Sequence, residues 1–427
     1  MFLFISFFCC FNGLPQGFEF HGLGNPSYQN LKEFNLVWGR YIPLKFTRDG
    51  SKIIGNYLMS INGLKLVTIF VWSKEHGLVI ADRKSFGSME FIGFSKKGDV
   101  LVNATPYADY DYKNHFGKNI NYSCALISYL DKGTIKFKSK QPYTEYVFMS
   151  VSDDGENAIF IRSENKSVLN DREKPENLFE SISQIIYPLE NGTYYIQRIS
   201  KNKNFLYGYH INGNDQNLVI WKKGICTFIP CTYLHGNYYG IAKEMNEGTN
   251  LLLTFYSRHE RDLYNPRAYI ASLKREGNAS LKYEFKSPLM HSCTDIPSLS
   301  RCICVTDDDR FAFGVMGSVL GYDNYQLRKK IDRHLLLKCK AFISDLSTDD
   351  KVMVDLNEVI SCFQKKQGNN NNQKSSNGWH LISVDSVYKN ENFLSVTGLG
   401  LNPTNTIEMY CAKFPLEKLN NILEKLN

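Results

Sequence analysis

A short pattern recurs seven times along this 427-residue chain: a strand, a tight polar turn and a returning strand. Its members are LKFTRDGSKIIG (44–55), IGFSKKGDVLVN (92–103), MSVSDDGENAIF (149–160) and QRISKNKNFLYG (197–208). They continue with AKEMNEGTNLLL (242–253), ICVTDDDRFAFG (303–314) and DSVYKNENFLSVTG (385–398). Asp49-Gly50 and Asp154-Gly155 are strong hairpin signals, because a tight turn between twisted strands needs positive φ at its centre. Lys97-Gly98, Asn202-Lys203, Glu247-Gly248, Asp308-Asp309 and Asn390-Glu391 fill the same place less ideally. Such self-similarity constrains the fold strongly, since each unit must bury its apolar face against a neighbour of its own kind.

After a variable gap each hairpin is followed by another apolar strand. These read TIFVW (68–72), CALIS (124–128), SQIIY (183–187), NLVIW (217–221), RAYIA (267–271), KAFIS (340–344) and EMYCA (408–412). Most lead through a turn into a fourth stretch, and four strands per unit of roughly 45 to 60 residues is the recipe for a propeller blade. The expected fold is therefore all-β: a single β-propeller of about seven four-stranded blades over residues 17–414. Two units are short of a strand. Gly192 leads directly into TYYIQRIS, and only a Leu-rich amphipathic segment follows the seventh unit, predicting a helix over 415–427 with Leu416, Leu419, Ile422, Leu423 and Leu426. The N-terminal GFEFHGLG (17–24) is expected to fill the last gap, because pairing the two ends of the chain leaves no open sheet edge. The Asn/Gln/Ser tract from Gln367 to Asn377 reads as a loop.

The repeats resemble the HAF family of extracellular repeat proteins, found in bacterial surface and autotransporter-like proteins. That family alternates a Ser-x-Asp-Gly or Asn-x-x-Gly hairpin with a strand close to His-Ala-Phe-x-Trp. Here the second element stands as Lys340-Ala341-Phe342, Arg267-Ala268-Tyr269 and Cys124-Ala125-Leu126, with Trp72 and Trp221 in the Trp place. Residues 378–414 match the family's terminal pattern through Gly378, Trp379, Leu381, Gly398, Gly400, Asn402 and Pro403. The resemblance implies a secreted or surface-associated protein and brings no catalytic residues. Residues 1–16, with the apolar run FLFISFFCCF (2–11), read either as a truncated signal or as a buried apolar segment, the latter pointing to the cytoplasm.

Charge and cysteine content narrow the function. Fifty Lys+Arg against 43 Asp+Glu give +7, too dilute over the chain for the basic stripe of a nucleic-acid surface, so no nucleic-acid partner is expected. No apolar run reaches the length of a membrane helix. The eleven cysteines include no CxxC pair. Cys226 and Cys231 flank a turn and would form a disulfide only in an oxidising compartment. Cys302 and Cys304, two apart on a strand, are expected on one face as small buried hydrophobes. A metal site built from them with His291 and Cys293 lacks the usual ligand spacings. Asp307-Asp308-Asp309 coincides with a hairpin turn, and Ser152-Asp153-Asp154-Gly155 reads as another.

A Gly-x-Ser-x-Gly elbow, a P-loop, a Rossmann fingerprint and a His-Glu-x-x-His helix are all missing from the sequence. No catalytic residue, cofactor or metal is assigned. In four-stranded blades the connections between second and third strands share one end, and the long ones here span 104–122, 161–181, 256–266 and 317–337. They carry Tyr107, Tyr110, Tyr112, His115, Tyr256, Tyr264, Tyr322 and Tyr325, and tyrosine makes large amphipathic contacts at low entropic cost. The expectation is a monomeric, non-enzymatic binding propeller whose long loops meet a protein or glycan. A carbohydrate hydrolase or lyase with carboxylates at a central channel stays open as an alternative, as does an intracellular scaffold of WD-like type.

Overall fold

The computed structural model describes residues 17–24, 44–61, 64–81, 86–106, 124–131, 134–137, 146–152, 155, 158–162, 193–199, 205–212, 215–222, 225–229, 236–245, 250–259, 262–276, 280–286, 290–291, 300–317, 333–348, 352–367 and 378–426. The described chain is mostly β. Strand β1 (Glu19–Gly22) precedes the first sheet, which is an antiparallel meander of β2 (Lys45–Phe46), β3 (Lys52–Ile61), β4 (Leu64–Ser73) and β5 (Gly77–Ile80). The second repeats it with β6 (Phe86–Phe94), β7 (Val100–Pro106), β8 (Cys124–Asp131) and β9 (Thr134–Phe137). The third comprises β10 (Tyr146–Val151) and β11 (Ala158–Arg162) among the described residues.

The fourth sheet is β12 (Thr193–Ile199), β13 (Phe205–Asn212), β14 (Asp215–Lys222) and β15 (Ile225–Ile229). The fifth is β16 (Gly236–Met245), β17 (Asn250–His259), β18 (Asp262–Glu276) and β19 (Ser280–Lys286). Two further sheets have five strands. In the sixth, β20 (Met290–His291) runs parallel to β24 (Val352–Asp355), beyond β21 (Ser300–Val305), β22 (Phe311–Gly317) and β23 (Cys339–Asp345). The seventh holds β25 (His380–Leu381), β26 (Ser386–Lys389), β27 (Phe393–Leu401) and β28 (Ile407–Pro415). All seven repeat hairpins are present as antiparallel pairs.

The seventh sheet takes its outer strand from the N-terminal end. β1 lies antiparallel to β28 with Glu19 opposite Lys413 and Gly22 opposite Tyr410. Phe18 stacks on Phe363 and Phe414, and Phe20 packs between Trp379 and Tyr410, so apolar burial holds this four-residue strand. Leu23 joins Phe46, Tyr57, Trp72, Leu399 and Met409 in a core shared with the first sheet. Each sheet contacts the next along the chain, and β26 of the seventh contacts β2 of the first.

Among the described residues three helices accompany the sheets: α1 (Arg333–Leu337), α2 (Leu356–Gln367) and α3 (Leu416–Leu426). Of these, α1 and α2 fall within the 17–414 span read as propeller, where the sequence reading had placed no helix. α2 starts where Asp355 Oδ1 accepts the Asn357 N–H at 2.9 Å, an N-cap on the second helical amide. Its Val359, Ile360 and Phe363 then pack against Leu419, Ile422 and Leu423 of α3. A second correction concerns Cys302 and Cys304. Pairing with β22 shifts register between them, so an extra residue breaks the two-residue alternation. Cys302 packs toward Ala268 of the fifth sheet, whereas Cys304 packs toward the seventh, its thiol 4.0 Å from the Val384 carbonyl.

Candidate functional site

The repeat's turn sequence explains its own geometry. The first turn residue accepts, through its carbonyl, the amide of the residue three on: Thr47 from Gly50 and Ser95 from Gly98 at 2.8 Å, Thr306 from Asp309 at 3.0 Å. That third residue is left-handed, with φ of 68° at Gly50, 82° at Gly98, 68° at Gly155 and 58° at Asp309. The leading hydroxyl closes the turn from the other side. Thr47 Oγ1 accepts the Lys52 amide at 3.1 Å, Ser95 Oγ the Asp99 amide at 3.0 Å and Thr306 Oγ1 the Phe311 amide at 3.0 Å. A serine or threonine is useful here because it satisfies a donor that the ladder leaves unpaired.

These turns are joined sheet to sheet. Lys389 of the seventh sheet pairs with Asp308 of the sixth, and the Tyr388 ring packs where a side chain on Gly50 would stand. The Arg48 guanidinium donates to the Lys96 carbonyl, and the Lys96 amide donates to the Gly155 carbonyl at 2.8 Å. The contacts thus run from the sixth sheet through the seventh, first and second to the third. Between the first and second lies a cleft of about 290 Å³ lined by Thr47, Arg48, Asp49, Ser51, Lys52, Lys96, Lys97, Gly98 and Leu130. Burial works to raise the Asp49 carboxyl, yet hydrogen bonds from Thr47 and Ser51 outweigh it and hold it below the usual range.

Deeper between the sheets, asparagine side chains imitate a strand. Asn56 of β3 accepts the Phe91 amide at 2.6 Å and donates to the Phe91 carbonyl at 3.3 Å. Asn103 of β7 does the same to Phe148 of β10, at 2.7 and 2.8 Å. Each amide pairs with both backbone groups of one residue on the next sheet's first strand, fixing the sheets' relative register. Nothing local in the sequence distinguishes these asparagines from turn or surface ones.

The tyrosine loops fare differently. Tyr107, Tyr110, Tyr112, His115, Tyr322 and Tyr325 lie outside the described residues, as do residues 1–16 and the tract from 368 to 377. Tyr256 and Tyr264 stand in strands, not in a loop: β17 and β18 extend so far that Tyr256 pairs with Pro266 and His259 with Asp262. The reading of 256–266 as a long loop is corrected accordingly. The cleft residues Arg48, Lys52, Lys96 and Lys97 carried a signal that sequence reading passed over, namely basic residues at consecutive turn positions of adjacent units.

Among the described residues no cluster of three His, Cys, Asp or Glu could hold a metal ion. His291 is in β20 and Cys293 lies outside the described residues, as does Cys231. The described cysteines 302, 304, 339, 362 and 411 are free thiols. Burial pushes the Cys302 thiol well up and the Cys411 thiol up to about 12, so neither is a ready nucleophile. No described helix is long and apolar enough to cross a membrane.

No family model and no curated protein matches the chain. Among solved structures, the chain is similar to a putative TolB from Agrobacterium tumefaciens, with TM-score 0.31 and 12% identity over 60% of this chain and 85% of that one. It is also similar to the acylaminoacyl peptidase of Pyrococcus horikoshii, with TM-score 0.43 and 10% identity over 93% of this chain and 55% of that one.

Proposed function

We propose that the seven sheets are the blades of one β-propeller, and that the protein is a secreted or surface-associated, non-enzymatic scaffold binding a protein or glycan. The observation that carries this reading is the chain of ties between the hairpin turns of successive sheets, from Asp308–Lys389 through Arg48–Lys96 to Gly155. The sequence between β7 and β8, residues 107–123, carries Tyr107, Tyr110, Tyr112 and His115. Binding residues concentrate on variable loops that a rigid scaffold holds in place. Support for a closed ring comes from the succession of sheet contacts and from β1 on β28. The extracellular assignment rests on the resemblance to the HAF repeats.

The test is a variant with Tyr107, Tyr110, Tyr112 and Tyr325 changed to Ala, compared with the parent on a glycan array and on intact cell surfaces. Loss of at least about tenfold in binding is expected, given the weight aromatic contacts carry in such interfaces. An unchanged thermal melt would show that the fold survives. Equal binding by both proteins would remove these loops from the interface.

A further inference from the structure

We propose that the groove filled by β1 is a peptide-recognition site. It takes an extended strand of a partner protein that reads aromatic, acidic, aromatic, any residue, glycine, and β1 occupies it in cis until such a strand displaces it. This goes beyond the scaffold reading, because the groove lies on the seventh sheet and involves none of the tyrosines assigned to binding there.

The groove reads alternate residues, as a sheet edge does when it accepts an added strand. Backbone pairing with β28 runs from Glu19 opposite Lys413 to Gly22 opposite Tyr410, and the Leu23 amide donates to the Met409 carbonyl at 2.9 Å. Phe18 sits against Phe363 and Phe414, and Phe20 against Trp379 and Tyr410. Glu19, between them in sequence and so on the opposite face of the strand, bonds Lys74 of the first sheet at 2.8 Å. Two residues past Phe20 only glycine fits. A Cβ on Gly22 would stand 2.7 Å from both the Trp379 ring and a Glu408 carboxylate oxygen.

The walls of the groove hold one another without β1. The Phe363 and Phe414 rings lie 5.4 Å apart, the Tyr410 hydroxyl donates to the Ser383 carbonyl at 2.9 Å, and Asn402 Nδ2 donates to Glu408 Oε2 at 2.9 Å. The other Glu408 oxygen is thereby aimed at the strand, where it accepts the Gly24 amide at 2.7 Å. A site built in advance lowers the cost of binding. The covalent connection does not oblige β1 to stay. Residues 25–43 lead from Gly24 to Leu44, yet Leu23 and Leu44 belong to one core. At about 3.3 Å per residue a stretch of that length can reach roughly 60 Å.

The experiment uses the full chain, as the parent and as Phe20→Ala and Gly22→Val variants, which weaken β1 and leave every wall residue in place. The probe is a fluorescent peptide of sequence GFEFHGLG, with a control peptide carrying the Gly22→Val change. β1 competes at an effective concentration on the order of millimolar, so the probe is expected to bind both variants at least tenfold more tightly than the parent. The control peptide is expected to bind none of them. In the parent, about 5 mM unlabelled peptide exceeds that effective concentration and is expected to at least halve the hydrogen-exchange protection of the Leu23 amide. If neither variant melts cooperatively, this measurement on the parent decides. Folded variants that ignore the probe, equal binding of the control peptide, or unchanged Leu23 protection overturns the proposal.

Discussion

At the scale of the residue, Asn56 shows how much a single amide does between sheets. It is buried, and both its polar atoms serve the backbone of Phe91. Leucine fills a similar volume but offers neither donor nor acceptor, leaving a buried N–H and C=O without partners. Asn56→Leu is therefore expected to destabilise the fold by about 2–4 kcal/mol, read from the denaturant midpoint. Asn56→Asp keeps the acceptor and loses the donor, so it should retain the Phe91 amide bond at the cost of a buried charge. The glycines of the turns divide by the same reasoning. Gly98 needs its left-handed φ alone, whereas Gly50 needs that φ and room for the Tyr388 ring, 2.4 Å from where a Cβ would stand.

At the scale of the element, β1 is held by charge as well as by rings. Lys74 of the β4–β5 turn bonds Glu19 at 2.8 Å, linking the N-terminal strand to the first sheet while its backbone pairs with the seventh. Burial works to raise the Glu19 carboxyl, but the hydrogen bonds from Lys74 and His21 and the charges of Lys74 and Lys413 hold it below its ordinary value. The unfolded strand consequently takes up the proton at a higher pH than the folded one. Glu19 stabilises docking fully above its ordinary value, and that contribution is lost as pH falls through the lowered folded value. Hydrogen exchange at the Leu23 amide, which donates to Met409 at 2.9 Å, reports the docking. Its protection is expected to decline with acid across that window in the parent and to stay flat in Glu19→Gln.

The seven hairpins were legible because turn chemistry is local: Asp49-Gly50 or Lys97-Gly98 announces itself within four residues. The pairing of β1 was legible by counting, since the last unit lacked a strand and GFEFHGLG stood spare. The faces of Cys302 and Cys304 were not, because a bulge between them depends on how β22 pairs. Neither was α2, whose apolar Val359, Ile360 and Phe363 find their partner in α3, far along the chain. The cleft was legible only in part: basic residues recur at the turns of two adjacent units, but Arg48 and Lys96 become neighbours only when those units pack.

At the scale of the whole molecule, the sheets behave as one object if every interface is held as the described ones are. The Asn56 and Asn103 clamps, the Ser300 hydroxyl on the Ala268 amide at 3.1 Å, and the apolar clusters between sheets all couple neighbours. A single compact monomer of this length has a radius of gyration of about 22 Å. Small-angle scattering is expected to give that value with a bell-shaped Kratky plot. A markedly larger radius with a plateau would show that the sheets are strung along the chain instead of gathered.

The contact between Gly24 and Glu408 spans 384 positions of sequence. During synthesis a ribosome adds about 5–20 residues each second, so β1 waits tens of seconds for the strand it will pair with. Throughout that interval six sheets can form while the last edge is missing, and the waiting segment carries Phe18 and Phe20 uncovered. The protein's most vulnerable moment therefore falls late in translation, and a chaperone that shields an aromatic N-terminal segment would matter more to its yield than one acting on the released chain.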